Sequence, residues 1–439
     1  MFRNNLHRIS SNVAWLVVNR VVTKIAGLVA LGFVARYLGT TQFGTLSYAL
    51  VLTGMFNAVS SMGLDGILIR ELVRSPENNS IVLGTGFVLR LAGALAAFTL
   101  VALAALLDPT TQPLLPLFVV VAASFFPQTL EVADLWFQKN IQSKFPVMGR
   151  TAAVLIGAGI KCALVYHGAP LIWFAWACLA EAILNSVAVM LVYRLRKQSF
   201  ASWSFSAPLA RAMLRDCWPL IVSGLLVAFY MRLEQLLVRT FFGDSSLGVY
   251  IAAAQITEAW SFLPAFILSS IYPLLVEERK SSPHRFEERL QTVFDALTGA
   301  GYLVALAVSC LAPFLIPILF GDRYVRAIPV LVIQSLAAPI FFSGAVRAQY
   351  FLLENLNIYH TLTASLGIAV NISLSLALMP SLGIVGASVA GFGGALVAGF
   401  LTSWAFKPLR RCAFWQLKAF LVPFRVGSLF NALRARHDN

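Results

Sequence analysis

GTTQFGTLSY, Gly39–Tyr48, and GDSSLGVYIA, Gly243–Ala252, begin 204 residues apart in a chain of 439. Each stretch lies between the first and second long apolar segments of its half, and each is followed by a Gly/Ala-rich apolar span. A loop and flanking spans that recur at half the chain length imply two copies of one membrane unit.

Composition agrees. The chain is 59% hydrophobic and only 12% charged, with mean hydropathy +0.79. A soluble domain of this length could not hide that much apolar surface. Twelve stretches are long enough to cross a bilayer at about 20 residues each. They fall near 13–35, 46–64, 81–107, 113–137, 147–166, 170–193, 216–240, 247–275, 294–319, 328–353, 362–379 and 383–405. Runs this long and continuous predict helices, because barrel strands would be short and alternating. The expected fold class is therefore an all-α integral membrane protein.

Lys and Arg orient the spans. With the N-terminus inside, the inner segments hold 22 of the 33 basic residues and the outer loops four: Arg36, Arg239, Arg323 and Arg326. Both termini are thus expected to be cytoplasmic. The net charge of +14 reads as this topology signal, with anionic inner-leaflet lipid as its partner and no need for nucleic acid. The first apolar stretch is interrupted by Arg20 and Lys24 and outruns a signal-peptide core, so no cleaved leader is expected. Residues 1–193 form an N-terminal six-helix lobe, 194–215 a cytoplasmic linker, 216–405 a C-terminal six-helix lobe, and 406–439 a basic amphipathic tail. The tail is expected to hold a helix in the inner interface, broken near Pro423. Six spans per half give both lobes one orientation, so the repeat axis runs along the membrane normal. No outer loop is large enough for a catalytic lobe.

A charge at the centre of a membrane helix costs about 2.5–3.5 kcal/mol on insertion scales, and this chain carries several. Arg20, Lys24 and Gly27 are spaced i, i+4, i+7 and share one stripe of the first span. Two cations one turn apart repel each other and together suit a dianionic or larger ligand. Arg supplies a bidentate fork and Lys a point charge for phosphate. Arg90 in span three lies at similar depth, and the three make a diphosphate cradle. Arg232 in span seven and Arg347 in span ten are further candidates. The acidic set is Glu131 and Asp134 in span four, Glu181 in span six, Glu234 in span seven and Glu258 in span eight. For Lys161, Glu181 and Glu234, mutual pairing and lining of a wet path both stay open. Arg150, near an inner span end, is expected to snorkel to the interface.

Several chemistries are missing. The chain has no Walker A, HExxH or GxSxG pattern and no metal-ligand cluster. The five histidines have no partner at ligand spacing. The five cysteines form no CxxC and imply no pairing. No cofactor is expected beyond coupling to H⁺ or Na⁺, for which Glu131, Asp134, Glu234 and Glu258 are the candidates.

Residues Ala35–Arg74, ARYLGTTQFGTLSYALVLTGMFNAVSSMGLDGILIRELVR, resemble the signature of bacterial polysaccharide flippases. The matching elements are Ala35–Arg36, Leu38–Gly39, Phe43–Gly44, Gly63–Leu64 and Arg70. FFGDSSLGVYIAAAQI (Phe241–Ile256), LFGDRYVRAIPVLVIQSL (Leu319–Leu336), and Asn371 with LMPSLGIVGASVAGF (Leu378–Phe392) are similar to the same family. Asp65 departs from its usual small or polar neighbour. The resemblance implies the fold of the multidrug/oligosaccharidyl-lipid/polysaccharide superfamily, two six-helix lobes in a V around a central cationic cavity. It implies translocation of a polyprenyl-diphosphate-linked oligosaccharide, an O-antigen, exopolysaccharide or capsule repeat unit, from the inner to the outer leaflet. It places the protein in the bacterial cytoplasmic (inner) membrane, beside polysaccharide polymerase and chain-length or co-polymerase partners. In that scheme Arg20, Lys24 and Arg90 hold the diphosphate, Arg232 offers an onward site, and the protein is not an enzyme.

Three rivals make different demands. A multidrug cation antiporter of the same superfamily calls for an acidic, aromatic cavity, yet the bases expected deep in the spans outnumber the acids, seven against about five. A polymerase or ligase needs a sizeable outer loop. A scaffold for the assembly machinery needs no buried charge.

Overall fold

Glycine breaks and Pro/Gly-bounded helix ends divide the chain into its spans. The computed structural model describes residues 2–140, 142 and 144–425, with no side-chain account of 2–21, Pro76, Pro273 or Asn357. Among the described residues every regular element is helical. The longer helices are α1 Phe2–Met55, α2 Asp65–Arg74, α3 Asn79–Leu107, α4 Leu115–Ala122, α5 Val132–Lys139, α6 Lys144–Tyr166 and α7 Leu171–Leu195. They continue as α8 Ala207–Trp260, α9 Leu263–Ser281, α10 Pro283–Phe320, α11 Ala327–Leu336, α12 Ala338–Leu353, α13 Asn357–Leu382, α14 Ile384–Leu396 and α15 Arg410–Phe420.

Among the described residues ten helical stretches are long and apolar enough to cross a membrane. Two of them, Val22–Arg74 and Ala207–Tyr272, contain 53 and 66 residues. At 1.5 Å per residue each is far longer than a hydrocarbon core of about 30 Å. Both are broken by a glycine, Gly39 at φ 71°, ψ 176° and Gly243 at φ 77°, ψ −178°. Each accounts for two passes, which agrees with the twelve spans expected. Between 11% and 50% of the most apolar window of each stretch is buried inside the protein. Large exposed side chains such as Leu103, Leu306 and Ile318 are a lipid-facing surface.

Contacts divide the chain into unit 1, Met1–Leu236, and unit 2, Leu237–Asn439. In unit 1 the core joins Leu64 and, in α2, Ile67, Leu68 and Leu72 to Val82, Leu83 and Leu89 of α3, Phe137 of α5 and Tyr193 of α7. The connection from α7 to α8 is strapped to α3. The Ser204 amide donates to the Ser80 carbonyl at 3.2 Å, and the Ser206 amide donates to Thr85 Oγ1 at 3.1 Å. Gly84 permits this approach, since a Cβ there would fall 2.5 Å from the Ser204 carbonyl oxygen.

In unit 2 the core collects Leu290, Phe294 and Leu297 of α10, Phe342 and Phe351 of α12, and Cys412, Trp415 and Ala419 of α15. The tail helix α15 packs its apolar face on the rest of unit 2 and leaves Arg410, Arg411, Phe414 and Lys418 exposed. The buried Gln416 explains this packing, because only protein partners can satisfy an amide on that face. The helix ends at Phe420, ahead of Pro423; residues 426–439 lie outside the described residues.

Candidate functional site

Arg90, Arg150 and Lys161 in the span interiors of unit 1 are each paired with a carboxylate. Arg90 sits midway along α3 and is 7% exposed. Its Nη2 donates to the carboxylate of Asp65. Asp65 occupies the first turn of α2, where the helix N-terminus also favours a negative charge. The residue that departs from the family pattern is thus the counter-ion of a predicted substrate cation. Arg90 Nε is buried and has no partner.

Arg150 of α6 donates to Glu131 Oε2 at 3.0 Å and lies 3.4 Å from Asp134 Oδ2. Arg150, expected to snorkel to the interface, is thus also the cation for two carboxylates one helical turn apart, Asp134 buried and Glu131 partly so. Asp134 also accepts from Gln138 Nε2 at 2.9 Å. The chain between α4 and α5 is locally irregular, with short turns at Phe125–Gln128 and Thr129–Glu131, and this re-aims the carboxylates. Lys161 of α6 donates to Glu181 of α7 at 2.6 Å, so pairing holds for these two. Gly157 makes room for it: a Cβ there would fall 3.0 Å from Glu181 Oε2.

Two cavities lie among these pairs. The smaller, about 150 Å³, is lined by Ser60, Asp65, Arg90 and Thr129 together with Asn57, Gln128 and Glu131. The larger, about 520 Å³, shares those last three and adds Thr53, Lys161, Glu181 and Asn185. The structure therefore brings Arg90 and Glu131, both predicted site residues, to one cavity wall. Asn57, Gln128 and Asn185 carried no weight in the sequence reading. An amide inside an apolar span was the available signal.

Unit 2 holds Arg347 on α12, 6% exposed. Its Nη1 donates to Ser403 Oγ at 3.1 Å and its Nη2 to Thr363 Oγ1 at 3.5 Å. Its guanidinium carbon lies 5.1 Å from the Phe351 ring centre. Among the described residues no carboxylate pairs with it. Ser403 Oγ donates in turn to Gln416 Oε1 at 3.3 Å, and Gln416 Nε2 donates to Ser343 Oγ at 3.0 Å and to the Gly399 carbonyl at 2.9 Å. Gly399 sits in the π-turn Val397–Leu401, where a wider turn exposes carbonyls to outside donors.

The remaining predicted residues stand apart from these clusters. Lys24 is exposed on α1, and the side chain of Arg20 lies outside the described residues. Arg232 is half-buried, with Nη1 3.4 Å from Gln235 Oε1. Glu234 and Glu258 are half-buried and engaged with neighbouring groups. A groove of about 980 Å³ runs between α9, α10 and α15 in unit 2, but no predicted site residue lines it. Its charges are partly satisfied by Arg289–Glu278 at 2.9 Å and Arg411–Glu287 at 3.0 Å. The paired interior of unit 1 is the better candidate site.

Residues 9–278 match the polysaccharide biosynthesis protein family. No curated protein matches the sequence at a significant level. Among solved structures the chain is similar to a lipid II flippase, MurJ, in an inward closed conformation, with TM-score 0.70 and 14% identity over 93% of this chain and 91% of that one. It is similar to an inward-facing multidrug resistance MATE family transporter of the MOP superfamily, with TM-score 0.64 and 14% identity over 91% and 95%. A eukaryotic MATE transporter aligns at TM-score 0.57 and 12% identity over 94% and 99%. At such identities the likeness establishes the fold, an all-helical membrane architecture shared by these transporters.

Proposed function

Because the chain belongs to the polysaccharide biosynthesis protein family, we propose that it is a flippase that moves a polyprenyl-diphosphate-linked oligosaccharide from the inner to the outer leaflet of the cytoplasmic membrane. The observation that carries the proposal is the family match over residues 9–278, joined to a fold shared with a lipid II flippase along nearly the whole chain. The two halves act as lobes in alternating access, with both termini cytoplasmic as the Lys and Arg distribution favours. The polyprenyl tail stays in lipid while the protein shields the polar head. Arg20 and Lys24 supply the diphosphate contacts, with Arg90, Arg232 and Arg347 as the further cations of the path. Glu131, Asp134, Glu234 and Glu258 are the groups through which H⁺ or Na⁺ would couple to the cycle. The glycan is that of a capsule, exopolysaccharide or O-antigen repeat, and a polymerase and co-polymerase consume the product.

Export of a drug cation is the second reading, favoured by the four carboxylates Asp65, Glu131, Asp134 and Glu181 in unit 1. Their pairing with Arg90, Arg150 and Lys161 leaves little uncompensated negative charge for a cationic drug.

Reconstitution tests the proposal. Vesicles containing the protein receive a labelled polyprenyl-diphosphate oligosaccharide, and its leaflet is read by sugar accessibility to an external enzyme. Flipping by the wild type, lost in Arg20→Ala/Lys24→Ala at equal membrane abundance, is expected. Wild-type protein that flips no glycan under imposed H⁺ or Na⁺ gradients would overturn the reading.

A further inference from the structure

The cavity of about 520 Å³ in unit 1 falls within the roughly 300–1,000 Å³ range of small-molecule sites. Its wall is unusual for the interior of a helical membrane protein. Asn57, Gln128 and Asn185 present three side-chain amides that make no hydrogen bond to described residues. Thr53 is 7% exposed and its Oγ1 is buried without a partner. In the adjoining smaller cavity Arg90 Nε is likewise buried without a partner. Thr53 Oγ1 and Arg90 Nε are costly unless something else satisfies them, while exposed Asn57 and the partly exposed Gln128 and Asn185 keep their amides open to a ligand from the cavity. These groups offer donors and acceptors in alternation, since each amide carries both.

The charges say which ligand fits. Lys161 is held by Glu181, Arg90 by Asp65, and Arg150 by Glu131 and Asp134. Every cation here already has its anion. A phosphate would have to displace a carboxylate, and a metal or drug cation would have to displace a base. An uncharged polyol meets no such penalty, because each hydroxyl both donates and accepts. From these walls we propose that the unit 1 cavity is the glycan subsite. It takes a neutral sugar ring of the lipid-linked oligosaccharide through Thr53, Asn57, Gln128 and Asn185, while the diphosphate binds elsewhere. The inference rests on the flippase reading and adds the part of the substrate that this cavity recognises.

Cys178 lines the same cavity and reports on it. Single Ser199→Cys and Ser281→Cys variants, each carrying a thiol at an exposed position outside the spans, serve as controls. The protein in nanodiscs is treated with a small thiol reagent and the modified peptides are quantified. Three conditions are compared: no addition, polyprenyl diphosphate without sugar, and polyprenyl diphosphate carrying N-acetylglucosamine, galactose or glucose. At least one sugar-bearing lipid should slow Cys178 modification about fivefold, while the sugarless lipid leaves it unchanged. The controls should not respond. Asn185→Leu and Gln128→Leu should abolish the sugar-dependent protection without weakening retention of the sugarless lipid.

Equal protection by sugarless and sugar-bearing lipids would overturn the subsite and leave the flippase reading standing. So would Cys178 that never reacts, because a cavity closed to a small reagent is closed to a sugar. Protection by Na⁺ alone would reassign the cavity to a cation. A wild-type protein that retains neither lipid overturns the flippase reading and the subsite together.

Discussion

Gly39 and Gly243 hold one backbone conformation, φ 71° with ψ 176° and φ 77° with ψ −178°, at equivalent places in the two halves of the chain. Extended ψ at positive φ is a region open essentially to glycine alone, costing other residues about 1–3 kcal/mol. Nothing lies within 4 Å of a Cβ built on Gly243, so the penalty of a side chain there is conformational and not steric. Gly243→Ala is predicted to lower stability by about that amount, read as a fall in thermal midpoint. Gly344→Ala, in helical backbone with equally open space, should be neutral or gain about 0.5–1 kcal/mol. Equal effects at the two positions would refute the role of the break.

The Arg90–Asp65 pair predicts coupling. Removing Asp65 alone strands a guanidinium whose side chain is 9% exposed, whereas Asp65 itself is 64% exposed. Asp65→Ala and Arg90→Met are expected to be destabilising singly. The double variant should recover part of the loss, with an interaction of about 0.5–3 kcal/mol in a double-mutant cycle. Strict additivity would show that the two residues act apart.

Arg347 gives the reverse expectation. It is buried without a carboxylate, so replacing it by an apolar residue of similar volume removes a desolvation cost. Arg347→Met is predicted to change stability by less than about 1.5 kcal/mol while reducing transport in reconstituted vesicles at least tenfold. Unimpaired transport would confine Arg347 to packing.

Docking of α15 depends on Gln416, which is fully buried and bonded to Ser403, Ser343 and Gly399. Gln416→Leu leaves those partners unsatisfied at about 1–3 kcal/mol in total. Release of α15 would expose Trp415, now 8% exposed. A red shift of tryptophan emission that is absent in a Trp415→Phe background is the expected readout.

Cys412 lies on the same helix, and burial pushes its thiol up to about 12, against 9.0 for the free group. The folded state therefore keeps a proton that the unfolded state releases. This stability is fully present below pH 9 and is lost as pH rises from 9 toward 12. In native protein at pH 8, iodoacetamide is expected to spare Cys412 and to modify a thiol placed at exposed Ser281 by Ser281→Cys. Urea should equalise the two.

The membrane class, the helical spans, the charge bias and the repeat at Gly39 and Gly243 were legible in the sequence. Each is a local or one-dimensional property: hydropathy over about 20 residues, Lys and Arg counts per loop, or a glycine demanded by one backbone conformation. The site was less legible. The i, i+3 spacing of Glu131 and Asp134 placed them on one face but could not show that Arg150 of another helix faces them. Asp65 looked like a departure from pattern because its partner Arg90 is 25 positions away on α3. The tail read as amphipathic, but hydropathy does not distinguish lipid from a protein groove as the cover for an apolar face. Only the tertiary structure fixed the rotation of each helix about its axis. That rotation decided which buried charges became pairs, which amides of unit 1 were left facing a cavity, and where α15 found partners for Gln416.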